Sequence, residues 1–180
     1  MDYLKILHED SNLAADFDAL FDFFLLDEPT KRDEVEGRCT FSVDGVAFAR
    51  DGAGGEYHQL EDGSIGYMSS EGEYGRIAES IDDLIYLLVY SICWHDYCDA
   101  SQYTDISTLE AYADERHDEI ASYTEMDVWE TVVQSLGMPL EVNVAAELQK
   151  FYDAAHREPL YTSYFHEDDG TVTESHNLFF

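Results

Sequence analysis

The fold is decided by residues 46–68, which read VAFARDGAGGEYHQLEDGSIGYM. Two Asp-Gly pairs, at positions 51–52 and 62–63, interrupt this stretch, and Asp-Gly is a favoured pair in the tight turns that join antiparallel strands. Short runs rich in Val, Ile, Tyr and Phe lie between the turns. The pattern predicts an antiparallel β-meander.

A third Asp-Gly pair, Asp44-Gly45, precedes this stretch and follows a run in which apolar and polar residues alternate. Alternation with a period of two is typical of a strand with one buried face. We therefore expect Asp44-Gly45 to close a hairpin. The four predicted strands of the meander are residues 39–43, 46–50, 56–60 and 65–68.

A helix is predicted directly after the meander. Ser80 and Asp83 have the spacing of a capping box, with Asp in place of Glu, and Asp82 and Asp83 favour the positive end of a helix. The residues that follow place an apolar stripe on one face, as a core helix requires. The stripe consists of Ile81, Leu84, Ile85, Leu88 and Ile92.

Further helices are predicted on both sides of this centre. Residues 1–27 carry an apolar stripe from Leu13 to Phe24 that Pro29 ends, and residues 30–37 form a polar connector. Helices also begin near Ser107 and Thr124, and a last one carries the apolar residues Val144, Leu148, Phe151 and Ala155. Residues 160–173 are predicted to form a small hairpin or an extended arm. The predicted fold class is α+β, an antiparallel meander packed against helices, in one domain of residues 1–180 with a core of about 1–100 and a helical C-terminal extension of about 105–180.

The composition excludes several classes of function. Forty Asp and Glu stand against nine Lys and Arg, which gives a formal net charge of −31 and argues against nucleic acid as a partner. No apolar run reaches the length of about 18 residues that a membrane span needs, and the N-terminus lacks the pattern of a secretion signal. Three cysteines, an odd number at wide spacing, favour a reducing compartment. We expect a cytoplasmic protein whose acidity reflects solubility, salt adaptation or a basic protein partner.

Sequence motifs for catalysis or metal binding are weak. Residues 93–98, Cys-Trp-His-Asp-Tyr-Cys, hold the one local cluster of soft ligands, but no second Cys or His pair stands at zinc-finger spacing. Cys98 activated by His95 is a conceivable nucleophile, although nothing in the sequence orients the imidazole. The glycines of residues 52–55 lack the rest of a dinucleotide or Walker motif. We therefore predict no catalytic residue, no metal site and no cofactor.

The ordered set of motifs in the centre of the chain resembles the SUKH superfamily. The resemblance covers residues 46–95 and comprises an apolar strand that ends in Phe48-Ala49, the Asp51 turn, a second Asp-Gly turn at Asp62, and the helix that Ser80 opens. It implies an α+β fold with helices packed on an antiparallel sheet. It also implies a non-enzymatic binding protein, since many members are bacterial immunity proteins that neutralise toxins, often nucleases, and some regulate cell-wall synthesis in fungi.

These observations lead to three hypotheses. The first is an immunity-type protein that occludes a basic toxin domain through an acidic surface. The second is a regulatory or scaffolding module of the same fold without a toxin partner, and the third is a hydrolase that uses paired carboxylates or Cys98 and His95. For the first, the predicted surface combines loop acids, aromatic anchors and acids of the helix after Ser107. The named partner-binding residues are Asp51, Glu56, Tyr57, Glu61, Asp62, Tyr67, Glu71, Glu73 and Tyr74.

Overall fold

The structure, a computed structural model, describes residues 2–31 and 38–179. It is an α+β fold with three layers: helices, a six-stranded sheet and a three-stranded sheet. The helices are α1 (Tyr3–Glu9), α2 (Ser11–Phe21), α3 (Ile81–Ser91), α4 (Ile106–Ala121), α5 (Met126–Ser135) and α6 (Val144–Ala155). The strands are β1 (Phe24–Lys31), β2 (Cys39–Phe41), β3 (Gly45–Arg50), β4 (Glu56–Leu60), β5 (Ile65–Met68), β6 (Glu73–Ala78), β7 (Ser163–His166), β8 (Val172–Glu174) and β9 (His176–Asn177). Two short 3-10 turns, Trp94–Tyr97 and Ala100–Tyr103, join α3 to α4.

The large sheet has the strand order β1-β3-β4-β5-β6-β9, antiparallel except for the β6–β9 pair. Its centre is the predicted meander, and β4 and β5 have the predicted bounds. The turn between β4 and β5 places Gly63 at a φ of +87°, a conformation that glycine adopts without steric cost. The α+β class and three of the four predicted strands of the meander are therefore confirmed.

The predicted hairpin at Asp44-Gly45 is wrong. Strand β2 pairs antiparallel with β7, far along the chain, and β3 pairs with β1 and β4 instead. Gly45 is the first residue of β3, where a Cβ atom would lie 2.6 Å from the Gln59 carbonyl oxygen. The glycine thus permits close approach of two strands and makes no tight turn.

The N-terminal prediction also needs correction. Two helices replace the single predicted helix, because Asp10 caps α2 through its carboxylate, and Asp22 ends α2 in the left-handed region at a φ of 50°. The chain then enters β1 at Phe24, so Pro29 lies in a strand and stops no helix. Of the predicted connector, residues 30 and 31 belong to β1 and residues 32–37 lie outside the described residues.

Helices α3 to α6 follow the meander, and two of them begin at caps other than the predicted ones. Ser80 accepts a hydrogen bond from the Asp83 N–H at 3.1 Å and donates to the Asp83 carboxylate at 2.6 Å, which is the predicted capping box. In contrast, Asp105 caps α4, and Thr124 donates to the Ile120 carbonyl at the end of α4 and caps no helix. The C-terminal segment forms the predicted hairpin of β7 and β8.

The two faces of the large sheet are both covered. On one face, Phe48, Tyr57 and Ile77 pack into the main core with residues of α1 to α6. This core includes residues from Tyr3 near the N-terminus to Phe179 near the C-terminus. On the other face, Leu60 and Tyr74 pack against Tyr161 from the C-terminal segment. The helices and strands after residue 105 thus complete both layers around the sheet.

Candidate functional site: an acidic surface around His95

Five of the nine residues predicted to bind a partner lie in the interior. They are Asp51, Glu56, Tyr57, Tyr67 and Tyr74, all of them less than a tenth exposed. A partner can contact only solvent-accessible atoms, so this conformation offers it none of these five side chains. They hold the fold together, and we remove them from the predicted surface.

The Asp51 carboxylate organises the turn between β3 and β4. It accepts hydrogen bonds from the Gly55 N–H at 2.7 Å and from the Tyr67 hydroxyl. Burial and the neighbouring carboxylate raise the pKa of Tyr67, which keeps the hydroxyl protonated as a donor. A Cβ atom on Gly55 would lie 2.3 Å from both the Tyr67 oxygen and the Asp51 carboxylate, which explains the glycine there.

Glu56 belongs to a buried network on the opposite face of the sheet. Its carboxylate accepts from Arg50 at 2.7 Å and lies 3.1 Å from the Nε2 atom of His58. The other ring nitrogen of His58 lies 2.7 Å from the Tyr161 hydroxyl. The hydrogen bond with His58 and the Arg50 guanidinium lower the pKa of Glu56 against the opposing effect of burial. The network joins the meander to the C-terminal segment and is structural.

The remaining four predicted residues do not share one surface. Successive turns of a meander alternate between the two ends of the sheet, so Glu61 and Asp62 lie at one end and Glu71 at the other. Asp62 is also engaged within the protein, because its carboxylate accepts from Ser64, Arg76 and Arg157. Glu61 and Glu71 are exposed, and Glu73 is half-buried. The predicted surface is thus divided.

His95 marks the end of the sheet where the structure gathers acidic residues. Its ring stacks on Trp94 with centroids 3.7 Å apart and meets Tyr67 edge-on at 5.2 Å. Partial burial against these rings lowers the pKa of His95. Nearby carboxylates, among them Asp22, Asp51 and Asp96, oppose this effect because they favour the protonated imidazole. The imidazole therefore has several carboxylates near it.

Two clefts flank His95, which lines both of them. The first, the α4 cleft, has a volume of about 940 Å³ and lies between the 3-10 turns and α4. The second, the α2–α5 groove, has a volume of about 520 Å³ and lies between the end of α2 and the start of α5. We call the two clefts with His95 the His95 surface.

Among the charged side chains that line the His95 surface, carboxylates far outnumber cations. The α4 cleft is lined by Asp96, Asp99 and Glu115, and the α2–α5 groove is lined by Asp16, Asp22 and Glu125. Arg116 is the one Lys or Arg among the described residues that line either cleft, and it pairs with Glu119 at 2.8 Å. The surface therefore carries a large excess of negative charge.

The sequence indicated only part of this surface. Glu115 belongs to the acidic helix after Ser107, which was among the predicted contacts. Asp96 and Asp99 were not among the predicted residues. Glu125 lies about a hundred residues from Asp16 and Asp22, and only the packing of α2 against α5 brings it beside them.

The thiols near His95 are poorly suited to nucleophilic chemistry. Burial raises the pKa of Cys93 to about 11 and that of Cys98 to about 12. The thiolate is the nucleophile, so either group is almost entirely unreactive near neutral pH. Within the described residues, no group of three or more His, Cys, Asp or Glu is placed to hold a metal ion.

A prediction about alkylation follows from these pKa values. In a Cys39→Ser variant, which retains Cys93 and Cys98, we expect iodoacetamide at pH 8 to react at least about 100-fold more slowly than with free cysteine, because less than about 1% of either thiol is ionised. Mass spectrometry over time measures the rate at each site. Unfolding in urea is the control and should restore rapid reaction. Alkylation of Cys98 in the folded protein at the rate of free cysteine would revive the nucleophile hypothesis.

Fold and surface together define an α+β protein with an acidic face that contains two clefts. No family model, no curated protein and no solved structure matches this chain. The similarity of residues 46–95 to the SUKH superfamily therefore stays a prediction. None of the helices in the described part of the chain combines the length and the apolarity that crossing a bilayer requires.

Proposed function

We propose that this protein is a non-enzymatic binding protein of the immunity type, which neutralises a basic toxin domain by covering it with the His95 surface. The proposal depends on one observation: each of the two adjoining clefts is lined by three carboxylates, whereas among the described residues a single Lys or Arg, the Glu119-paired Arg116 of the α4 cleft, lines either of them. Complementary charge of this kind accelerates association to about 10⁸ to 10⁹ M⁻¹ s⁻¹ at low salt.

The geometry of the surface suits occlusion. The α4 cleft is open, and its acids are carried by a 16-residue helix and by two short 3-10 turns, the second of which is capped by Asp99. Asp99, for example, accepts from the Ser101 N–H at 2.9 Å, so its carboxylate is held in place. Acids fixed on rigid elements lose little conformational entropy when they meet a cationic partner.

Co-expression tests the proposal. The product of the gene next to the one that encodes this chain is expressed in a heterologous host with and without this protein, and growth is measured. We expect growth to be rescued, and the purified pair to associate at least about tenfold more slowly when NaCl is raised from 50 to 300 mM, since salt screens steering charges. Binding without rescue would favour the regulatory or scaffolding module. Absence of binding would refute the proposal.

A pair of triple variants locates the contact. Asp96→Asn, Asp99→Asn and Glu115→Gln together remove three charges from the α4 cleft, and we expect the association rate at 50 mM NaCl to fall by about tenfold or more. The matched control removes three exposed charges elsewhere, through Glu61→Gln, Glu141→Gln and Glu174→Gln. Equal effects of the two triples would show that net charge acts and that the His95 surface has no special role.

A further inference from the structure

The α2–α5 groove differs from the α4 cleft in having an apolar floor. Ile92 and Ile120 are buried at its base, and Leu20 and Val128 are half-buried along its walls. Ala19 is exposed at its margin. Above the buried isoleucines, Leu20, Val128 and Ala19 leave apolar surface that no described residue covers.

Tyr123 adds an aromatic side chain to the same groove. It is 67% exposed, which makes it the most exposed large hydrophobic side chain of the described residues. The backbone on either side of Tyr123 is held in place, because Thr124 donates to the Ile120 carbonyl at 2.8 Å and α5 begins at Met126. Exposed tyrosines on rigid supports are favoured anchors of protein interfaces.

Acids surround this apolar floor. Asp16 and Asp22 lie on the α2 side and Glu125 on the α5 side, and no Lys or Arg is present among the described residues that line the groove. A second copy of this chain, with a net charge of −31, would be repelled from such a rim. A segment with positive charges on both sides of an apolar side chain would place that side chain on the apolar floor and its charges beside the surrounding acids.

We infer that the α2–α5 groove binds a short segment of a partner protein in which an aliphatic or aromatic side chain is flanked by lysine or arginine. The apolar side chain enters between Leu20, Tyr123 and Val128, and the flanking cations face Asp16, Asp22 and Glu125. The inference deepens the proposed function, on which it rests, by identifying the anchor of the interface. The α4 cleft then contributes electrostatic attraction beside it.

Three synthetic peptides test the inference by fluorescence anisotropy at 50 mM NaCl. KRLFRK carries both features, KRSSRK lacks the apolar pair, and EELFEE reverses the charge. We expect KRLFRK to bind at least tenfold more tightly than KRSSRK, and EELFEE to show no binding. Equal affinity of KRLFRK and KRSSRK would overturn the apolar anchor, and binding of EELFEE as tight as that of KRLFRK would overturn the cationic requirement.

Variants of the groove test its location. Ala19→Arg places a long cation at the margin of the groove, and we expect it to weaken KRLFRK binding at least tenfold. Ala146→Arg is the matched control on α6, with the same change in charge at an exposed helical site, and it should leave the affinity within threefold. Tyr123→Ser, at a site that packing does not constrain, should also weaken binding. Equal effects of Ala19→Arg and Ala146→Arg would refute the inference.

The outcomes separate this inference from the proposed function. Growth rescue that Ala19→Arg leaves intact, together with peptides that bind without preference, would refute the groove as the anchor while the immunity function stands. Selective peptide binding in the groove without rescue would refute the immunity function while the groove stands. A dimer in sedimentation that Ala19→Arg dissociates would assign the groove to a second copy and overturn the inference.

Discussion

Replacement of Arg76 by methionine is expected to lower the free energy of unfolding by about 3–5 kcal/mol, because it leaves several buried acceptors without a donor at about 1–3 kcal/mol each. Arg76 has no exposed surface, yet it lies in the middle of β6. Its guanidinium donates to the Ser64 hydroxyl at 2.9 Å and to the carbonyl oxygens of Arg157 and Pro159 at 2.9 and 3.0 Å. Methionine fills similar volume but leaves these acceptors without a donor.

The same variant should loosen the C-terminal segment. The two carbonyls that Arg76 binds belong to the chain as it leaves α6 and turns toward Tyr161, which covers the second face of the sheet. Limited proteolysis should therefore cleave Arg76→Met near residues 157–162 before the rest of the chain is digested. Urea denaturation followed by circular dichroism measures the stability.

Arg116→Met is the matched control for Arg76. The Arg116 side chain is 43% exposed and pairs with Glu119 on the surface of α4. Exposed ion pairs contribute little to stability, so we expect a much smaller change than for Arg76→Met. If Arg76→Met were as mild as this control, the buried network would not be a main support of the C-terminal segment.

Replacement of Trp94 by alanine is expected to cost about 3–5 kcal/mol, as is usual for a buried aromatic side chain. Trp94 is 1% exposed and meets Tyr67 of the sheet at 4.9 Å and Phe151 of α6 at 5.4 Å between ring centroids. Its indole N–H donates to the Tyr57 hydroxyl at 3.3 Å. The variant therefore removes the side chain that joins the sheet, α6 and the His95 surface.

Thermal unfolding measures this effect. For a chain of this size, about 3–5 kcal/mol corresponds to a decrease of roughly 6–20 °C in the melting temperature. Trp94→Phe retains much of the apolar volume and should lower the melting temperature less. It can therefore still be measured if the alanine variant is unfolded. Tyr123→Ala, at a 67% exposed aromatic, is the control and should change the melting temperature by only a degree or two. A small decrease in the melting temperature for Trp94→Ala would contradict this prediction and show that neighbouring core residues repack to fill the cavity.

Much of the local structure could be predicted because its causes are local. The capping box at Ser80 and the apolar stripe of Trp129, Val132 and Val133 in α5 depend on residues within a few positions of one another. The turn at Asp62-Gly63 depends on a positive φ that glycine accepts. In each case the structure depends on residues only a few positions apart in the sequence.

Prediction failed where a strand takes a distant partner. Phe24 continues the apolar stripe of α2, but antiparallel pairing of β1 with β3 outweighs helix propensity there. Cys39 to Phe41 have a strand pattern, and nothing near them indicates that the partner is β7, more than a hundred residues away. The local residue pattern predicts that a strand forms, but contacts with distant segments decide which strand it pairs with.

Five of the residues predicted to bind a partner are buried for a related reason. Asp51 and Glu56 were placed on the surface because charged residues are rarely buried without partners. The structure supplies those partners, Tyr67 and Gly55 for Asp51, and Arg50 and His58 for Glu56. A carboxylate that is hydrogen-bonded in this way can leave the surface, and the surface acids have to be found elsewhere.

The sequence by itself determined the α+β class, the meander of β3 to β5, the start of α3 and the strongly negative charge, because propensity, turn chemistry and composition are properties of neighbouring residues. Only the tertiary structure decided which carboxylates remain exposed and that Asp16, Asp96 and Glu125 share one face around His95. Burial and proximity arise from contacts between segments far apart in the chain, and those contacts form only when the layers pack.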